Sequence, residues 1–88
     1  MTQNNQSEYN RVCWHSRRGM LELDLALEPF VKDVYPVLPE NEQAIYRRLL
    51  TGEDSDLFSW VLQKSRPEDK DLAMIMDKII SYAKTPKD

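Results

Sequence analysis

From residue 20 to residue 34, apolar side chains recur every three or four positions, at Met20, Leu23, Leu27, Phe30, Val31 and Val34. That spacing lines one face of a helix for about four turns. The same stretch also alternates, because Leu21, Leu23, Leu25 and Leu27 are separated by polar or small residues, and alternation is the mark of a strand. Length and residue type decide between the two. Leu, Glu and Ala favour helix over strand, and no other run in the 88 residues offers a partner for a lone strand. A helix over residues 20–35 is therefore predicted, kinked or split at Pro29, which lacks the N–H that would bond back to Leu25.

The rest of the chain follows the same logic. Residues 1–6 are polar and expected to be disordered. Ser7 is a candidate cap for a first helix reaching Ser16, with Tyr9, Val12 and Cys13 on its apolar stripe. Gly19, after Arg17 and Arg18, stands where a left-handed residue would end that helix. Residues 35–39 read as a connector. A third helix is predicted over 40–51, with Ala44, Ile45 and Leu49 inward and Tyr46 a further inward candidate. Its acidic first turn (Glu40, Glu42) and basic later turns (Arg47, Arg48) complement the helix dipole. Asp54 should cap a fourth helix over 55–64 that buries Leu57, Phe58, Val61 and Leu62. Pro67 should open a fifth at its first position, with Leu72, Ile75, Met76, Ile79, Ile80 and Ala83 apolar. The expected fold class is all-α: a compact, single-domain bundle of about five short helices over residues 7–84, followed by a tail at 85–88.

Size and charge narrow the function. A chain this short buries only roughly 60% of the surface its unfolded form exposes, so a pocket deep enough to enclose a cofactor would consume much of its core. A partner-binding surface is less costly. The net charge of -3 disfavours nucleic acid, whose binders carry a basic face, while 31% charged and 41% hydrophobic residues mark a globular chain. Cys13, the single cysteine, excludes an internal disulfide scaffold. No apolar run approaches the roughly 20 residues of a membrane span, and the first residues lack the features of a signal peptide. No membrane insertion, a cytoplasmic location and a monomer are expected.

Few residues suggest chemistry. A zinc site needs three or four ligands, and Cys13 with His15 falls short. As a nucleophile and base they lie two apart on a helix and point apart, so no enzyme is predicted. Glu53, Asp54, Ser55 and Asp56 form a cluster that suits either a cation or the capping of a helix, with capping favoured. Trp60 falls off the Leu57/Val61 stripe, and a tryptophan at a rim is a contact candidate. The run from Trp14 to Glu22 differs from these. Arg17 and Arg18 abut Gly19 between two helices, and Glu22 follows one turn later. A hinge glycine leaves backbone that a partner can approach, and arginine offers a planar fork. Helix capping accounts for the same residues.

Arg18-Gly19-Met20-Leu21-Glu22 matches an Arg-Gly-x-x-Glu motif, flanked by Trp14 and Arg17 before it and Leu23-Asp24 after it. Pro29-Phe30, Tyr35, Leu38, Leu49-Leu50 and the stretch from Asp54 to Trp60 extend the match. With these residues the chain resembles the bacterial FAD assembly factor family of the SdhE/YgfY type, related to the mitochondrial succinate dehydrogenase assembly factor 2. Pro39 departs from the family's serine-like helix cap. The resemblance implies a maturation chaperone that promotes covalent attachment of FAD to the flavoprotein subunit of succinate dehydrogenase, and of fumarate reductase. It implies no tightly bound cofactor, FAD belonging to the client. Arg18, Gly19 and Glu22 carry over as the contact surface, with Arg11, Trp14, Arg17, Asp56 and Trp60 as weaker partner-binding candidates. The alternative is an antitoxin-like or regulatory protein-binding module; a small hydrolase using Cys13 is a distant third.

Overall fold

The residues that alternate between 21 and 27 are helical, and the helix settles which of them are inside. Leu23 and Leu27, four apart, are fully buried, whereas Leu21 and Leu25, also four apart, are exposed. In the computed structural model, which describes residues 2–84, the element order is α1 (Thr2–Ser16), α2 (Leu21–Asp33), a 3-10 turn (Tyr35–Val37), α3 (Glu40–Leu49), α4 (Asp54–Val61) and α5 (Lys70–Lys84). No strand forms among the described residues. The radius of gyration is 12.5 Å, close to the roughly 12 Å of a compact chain of this length.

Helix α2 is the hub. It packs against α1, α4 and α5, and α5 in turn packs against α3. Its buried face of Leu23, Ala26, Leu27, Phe30 and Val31 meets Val12, Leu57, Ile75, Met76 and Ile79 in one core. Aromatic rings fill the space between α2 and α3. Tyr46 lies 5.5 Å from Phe30 and 5.4 Å from Tyr35, centre to centre, within the range where tilted ring pairs attract. Tyr46 is thus a central core residue and not a marginal one.

Several boundaries differ from expectation. Helix α1 begins at Thr2, so Ser7 lies within it and not at its start. The residues before Tyr9 are polar and carry no apolar stripe, yet helix propagates readily from a formed turn. Helix α2 runs unbroken through Pro29; the Leu25 carbonyl that loses its partner lies on the exposed side of the helix. Ala44 and Leu62, expected inside, are exposed, as is Ala83 at the end of the apolar stripe of α5. Helix α4 stops at Val61 because Gln63 adopts a left-handed conformation with φ 62°. The Lys64 N–H then donates to the Ser59 carbonyl at 2.9 Å and the Gln63 N–H to the Trp60 carbonyl at 3.0 Å. This is the paired closure usually built on glycine. Helix α5 starts three residues after Pro67, at Lys70. Asp69 caps it, its Oδ1 accepting the N–H groups of Asp71 at 2.8 Å and Leu72 at 3.1 Å. The expected tail at 85–88 lies outside the described residues.

Candidate functional site

The last turns of α1 have two faces. Val12 and Ser16 point into the core, and Arg11, Trp14 and His15 point to solvent. Ser16 is fully buried, so its hydroxyl needs partners. It donates to the Val12 carbonyl at 2.9 Å. With its single proton used there, it accepts from the Tyr46 hydroxyl at 2.7 Å. This bond anchors the end of α1 on α3. Burial raises the Tyr46 phenol pKa well above its usual value, against a smaller opposing pull from Ser16.

Between α1 and α2 the chain turns through Arg17, Arg18, Gly19 and Met20. Arg17 is exposed and pairs with Glu28 of α2 at 3.4 Å. The Arg18 backbone N–H donates to Asp24 Oδ1 at 2.8 Å. Its side chain turns inward, with Nη1 donating to Asp54 Oδ1 at 3.1 Å and Nη2 to the Leu50 carbonyl. Only 17% of the Arg18 side chain is exposed. Gly19 has φ 76°, and a Cβ placed on it would meet nothing within 4 Å. It does not close α1, which ends three residues earlier; it turns the junction. Glu22, in the first turn of α2, is exposed.

The structure therefore separates the motif. Gly19 and Glu22 face outward, while Arg18 faces inward and is engaged by its own chain. On the two helices that the junction joins, large apolar side chains are open to solvent: Trp14 of α1 and Leu21 of α2 are each 71% exposed and Leu25 of α2 63%. Neither leucine belongs to the motif, but the alternation of four leucines carries the signal, since a helix cannot bury all four on one stripe.

Arg11 is exposed on the Trp14 face of α1. Asp56 is exposed in the first turn of α4. Trp60 is half-buried against the core and forms one wall of a groove between α4 and α5 with Pro67, Met76 and Ile80. Asp54 does not cap α4; Glu53 holds that position without a side-chain bond, and the Asp54 carboxylate is taken by Arg18. No group of carboxylates, histidines or cysteine suited to a metal occurs among the described residues. Cys13 is partly buried, and hydrogen bonding toward it, ahead of burial, raises the pKa of Tyr9 one turn earlier. His15 is exposed. No helix among the described residues is long and apolar enough to cross a membrane. Pro39 precedes α3 without a side-chain cap, and its carbonyl alone receives the N–H groups of Glu42 and Gln43, each at 2.9 Å.

Comparison with known families matches residues 10–83 to the family described as flavinator of succinate dehydrogenase. Among individual relatives, the FAD assembly factor SdhE of Pseudomonas savastanoi pv. phaseolicola is 53% identical over 76 residues, covering 82% of this chain and 90% of that protein. The protein of the same name from Pseudomonas aeruginosa is 51% identical over 78 residues, covering 84% and 93%. That from Vibrio cholerae is 43% identical over 72 residues, covering 82% and 84%.

Proposed function

Because the chain belongs to the family of succinate dehydrogenase flavinators, we propose that it promotes covalent attachment of FAD to the flavoprotein subunit of succinate dehydrogenase, and of the similar subunit of fumarate reductase, by docking onto that subunit. The observation that carries this reading is the outward junction: Gly19 open and left-handed, Glu22 exposed in the first turn of α2, and Trp14, Leu21 and Leu25 exposed on the two helices that the junction joins. Burying one large apolar side chain contributes about 1.5–3 kcal/mol, and buried tryptophans dominate many interfaces. Three such side chains on the helices that flank a bare backbone turn suit a protein partner.

The chain supplies no reacting group. The histidine that receives the flavin and the flavin itself belong to the client, and FAD is cargo that this chain does not retain. The factor acts by holding the client's parts in a reactive arrangement and by favouring one client conformation over others. It works as a monomer in the cytoplasm, without nucleic acid.

The test is the flavin fluorescence of the client subunit in cells expressing Gly19→Arg or Glu22→Ala, with a thermal melt of each purified variant. Folded proteins that leave the client unflavinylated are expected. Wild-type flavinylation by both variants would refute this assignment.

A further inference from the structure

Arg18 is held at both ends. Its backbone N–H is fixed by Asp24 in α2, and its guanidinium reaches across to the turn between α3 and α4. There it meets two acceptors on different elements, the Leu50 carbonyl at the C-cap of α3 and the Asp54 carboxylate at the first residue of α4. Its Nε is buried without a hydrogen-bond partner, so the group is not presented to solvent. An arginine used in this way has no free fork to offer a partner. The residue that follows is Gly19, and Glu22 lies one turn beyond.

We propose that Arg18 and Asp54 form a clamp between the two interhelical junctions, and that Asp54 is a positioning residue that aims Gly19 and Glu22 at the client. This rests on the docking function above. The clamp needs arginine, because a planar fork satisfies two acceptors in different directions, whereas a lysine ammonium on a flexible stem does not hold both in fixed geometry. Asp54 is half-exposed, with 46% of its side chain open, so water can take its place on Arg18 Nη1 when it is removed, while Nη2 keeps the Leu50 carbonyl. Its removal therefore loosens the junction without unfolding the domain.

Two measurements test this on Asp54→Ala, Asp54→Asn, Arg18→Lys and the Asp54→Ala/Arg18→Lys double variant. In the free chain, Asp54→Ala should shift the Gly19 amide resonance and speed its hydrogen exchange, with a melting point lowered by only a few degrees. With the purified client flavoprotein subunit, Asp54→Ala and Arg18→Lys should each weaken binding about tenfold. The double variant should be no weaker than either alone, because both remove the same clamp. Asp54→Asn retains an acceptor oxygen and should recover part of the loss. Glu22→Ala should add its own loss on top of Asp54→Ala. An unchanged Gly19 amide in Asp54→Ala overturns the clamp, as do wild-type client affinity in that variant or fully additive losses in the double variant. Failure of the wild-type chain to bind the flavoprotein overturns the docking reading instead, and the amide measurement distinguishes the two failures.

Discussion

At φ 76° any side chain at position 19 is strained by its own backbone, yet the space around its Cβ is empty. The two facts separate stability from function. Gly19→Ala and Gly19→Arg should each cost about 1 kcal/mol, since the strain lies in the backbone and not in a clash. Only the arginine projects far enough to hold a partner off. Matched thermal melts are therefore expected, with client flavinylation largely kept by the alanine variant and lost in the arginine variant. Equal loss in both would mean that the left-handed backbone itself, and not the clearance, is what the client needs. Arg18 shows the limit of reading such a site from sequence. Its charge, its place before a glycine and its membership in the motif were all legible. Its inward direction was not, because it depends on Leu50 and Asp54, 32 and 36 residues further along the chain. Short-range spacing cannot report an acceptor that only the tertiary fold brings near.

Among the helices, apolar periodicity located the middle of each element well and its ends poorly. The stripe of α2 was readable because four turns of spacing agree. The end of α4 was not, because its left-handed closing residue is Gln63, where glycine would have marked the boundary. Gln63→Gly should therefore stabilise the protein by about 0.5–1 kcal/mol, the relief of left-handed strain being partly offset by a freer unfolded chain. Denaturant unfolding measures this, and an unchanged or lower midpoint would contradict it. The start of α5 was read from Pro67, but the helix opens at Lys70 because the Asp69 carboxylate reaches two free N–H groups. The same carboxylate accepts from Nη1 and Nη2 of Arg48 at 3.0 and 3.2 Å, and its pKa is lowered to about 2, chiefly by Arg48. A pKa depressed in the folded state contributes stability above the unfolded value, near 4, and that contribution is lost as pH falls toward 2. Asparagine caps a helix about as well as aspartate but does not titrate. Asp69→Asn should thus lower the melting point at pH 7 while flattening its decline between pH 4 and pH 2. A parallel decline in wild type and variant would show that the acid sensitivity arises elsewhere.

For the molecule as a whole, the all-α architecture was legible because a chain with this many helix-spaced leucines and isoleucines and no second candidate strand has few other ways to bury them. The central place of Tyr46 was less so, since a polar tip disguises a core residue. Its hydroxyl bonds Ser16 in the interior, a cross-link between α1 and α3. Tyr46→Phe should cost about 1 kcal/mol, the net worth of one buried hydrogen bond, or roughly 4–8 °C in Tm for a domain of this size. Ser16→Ala should cost a similar amount, and the double variant less than the sum; full additivity would show that the two hydroxyls do not act together. The distribution of aromatic side chains also gives the molecule a built-in optical readout. Trp14 stands 71% exposed beside the junction, and Trp60 is half-buried against the core. Red-shifted, iodide-quenchable emission belongs to the first and bluer, shielded emission to the second. A Trp60→Phe chain thus carries one fluorophore at the proposed docking face, whose emission should move blue when a partner covers it. A Trp14→Phe chain carries one whose emission changes when the helices come apart.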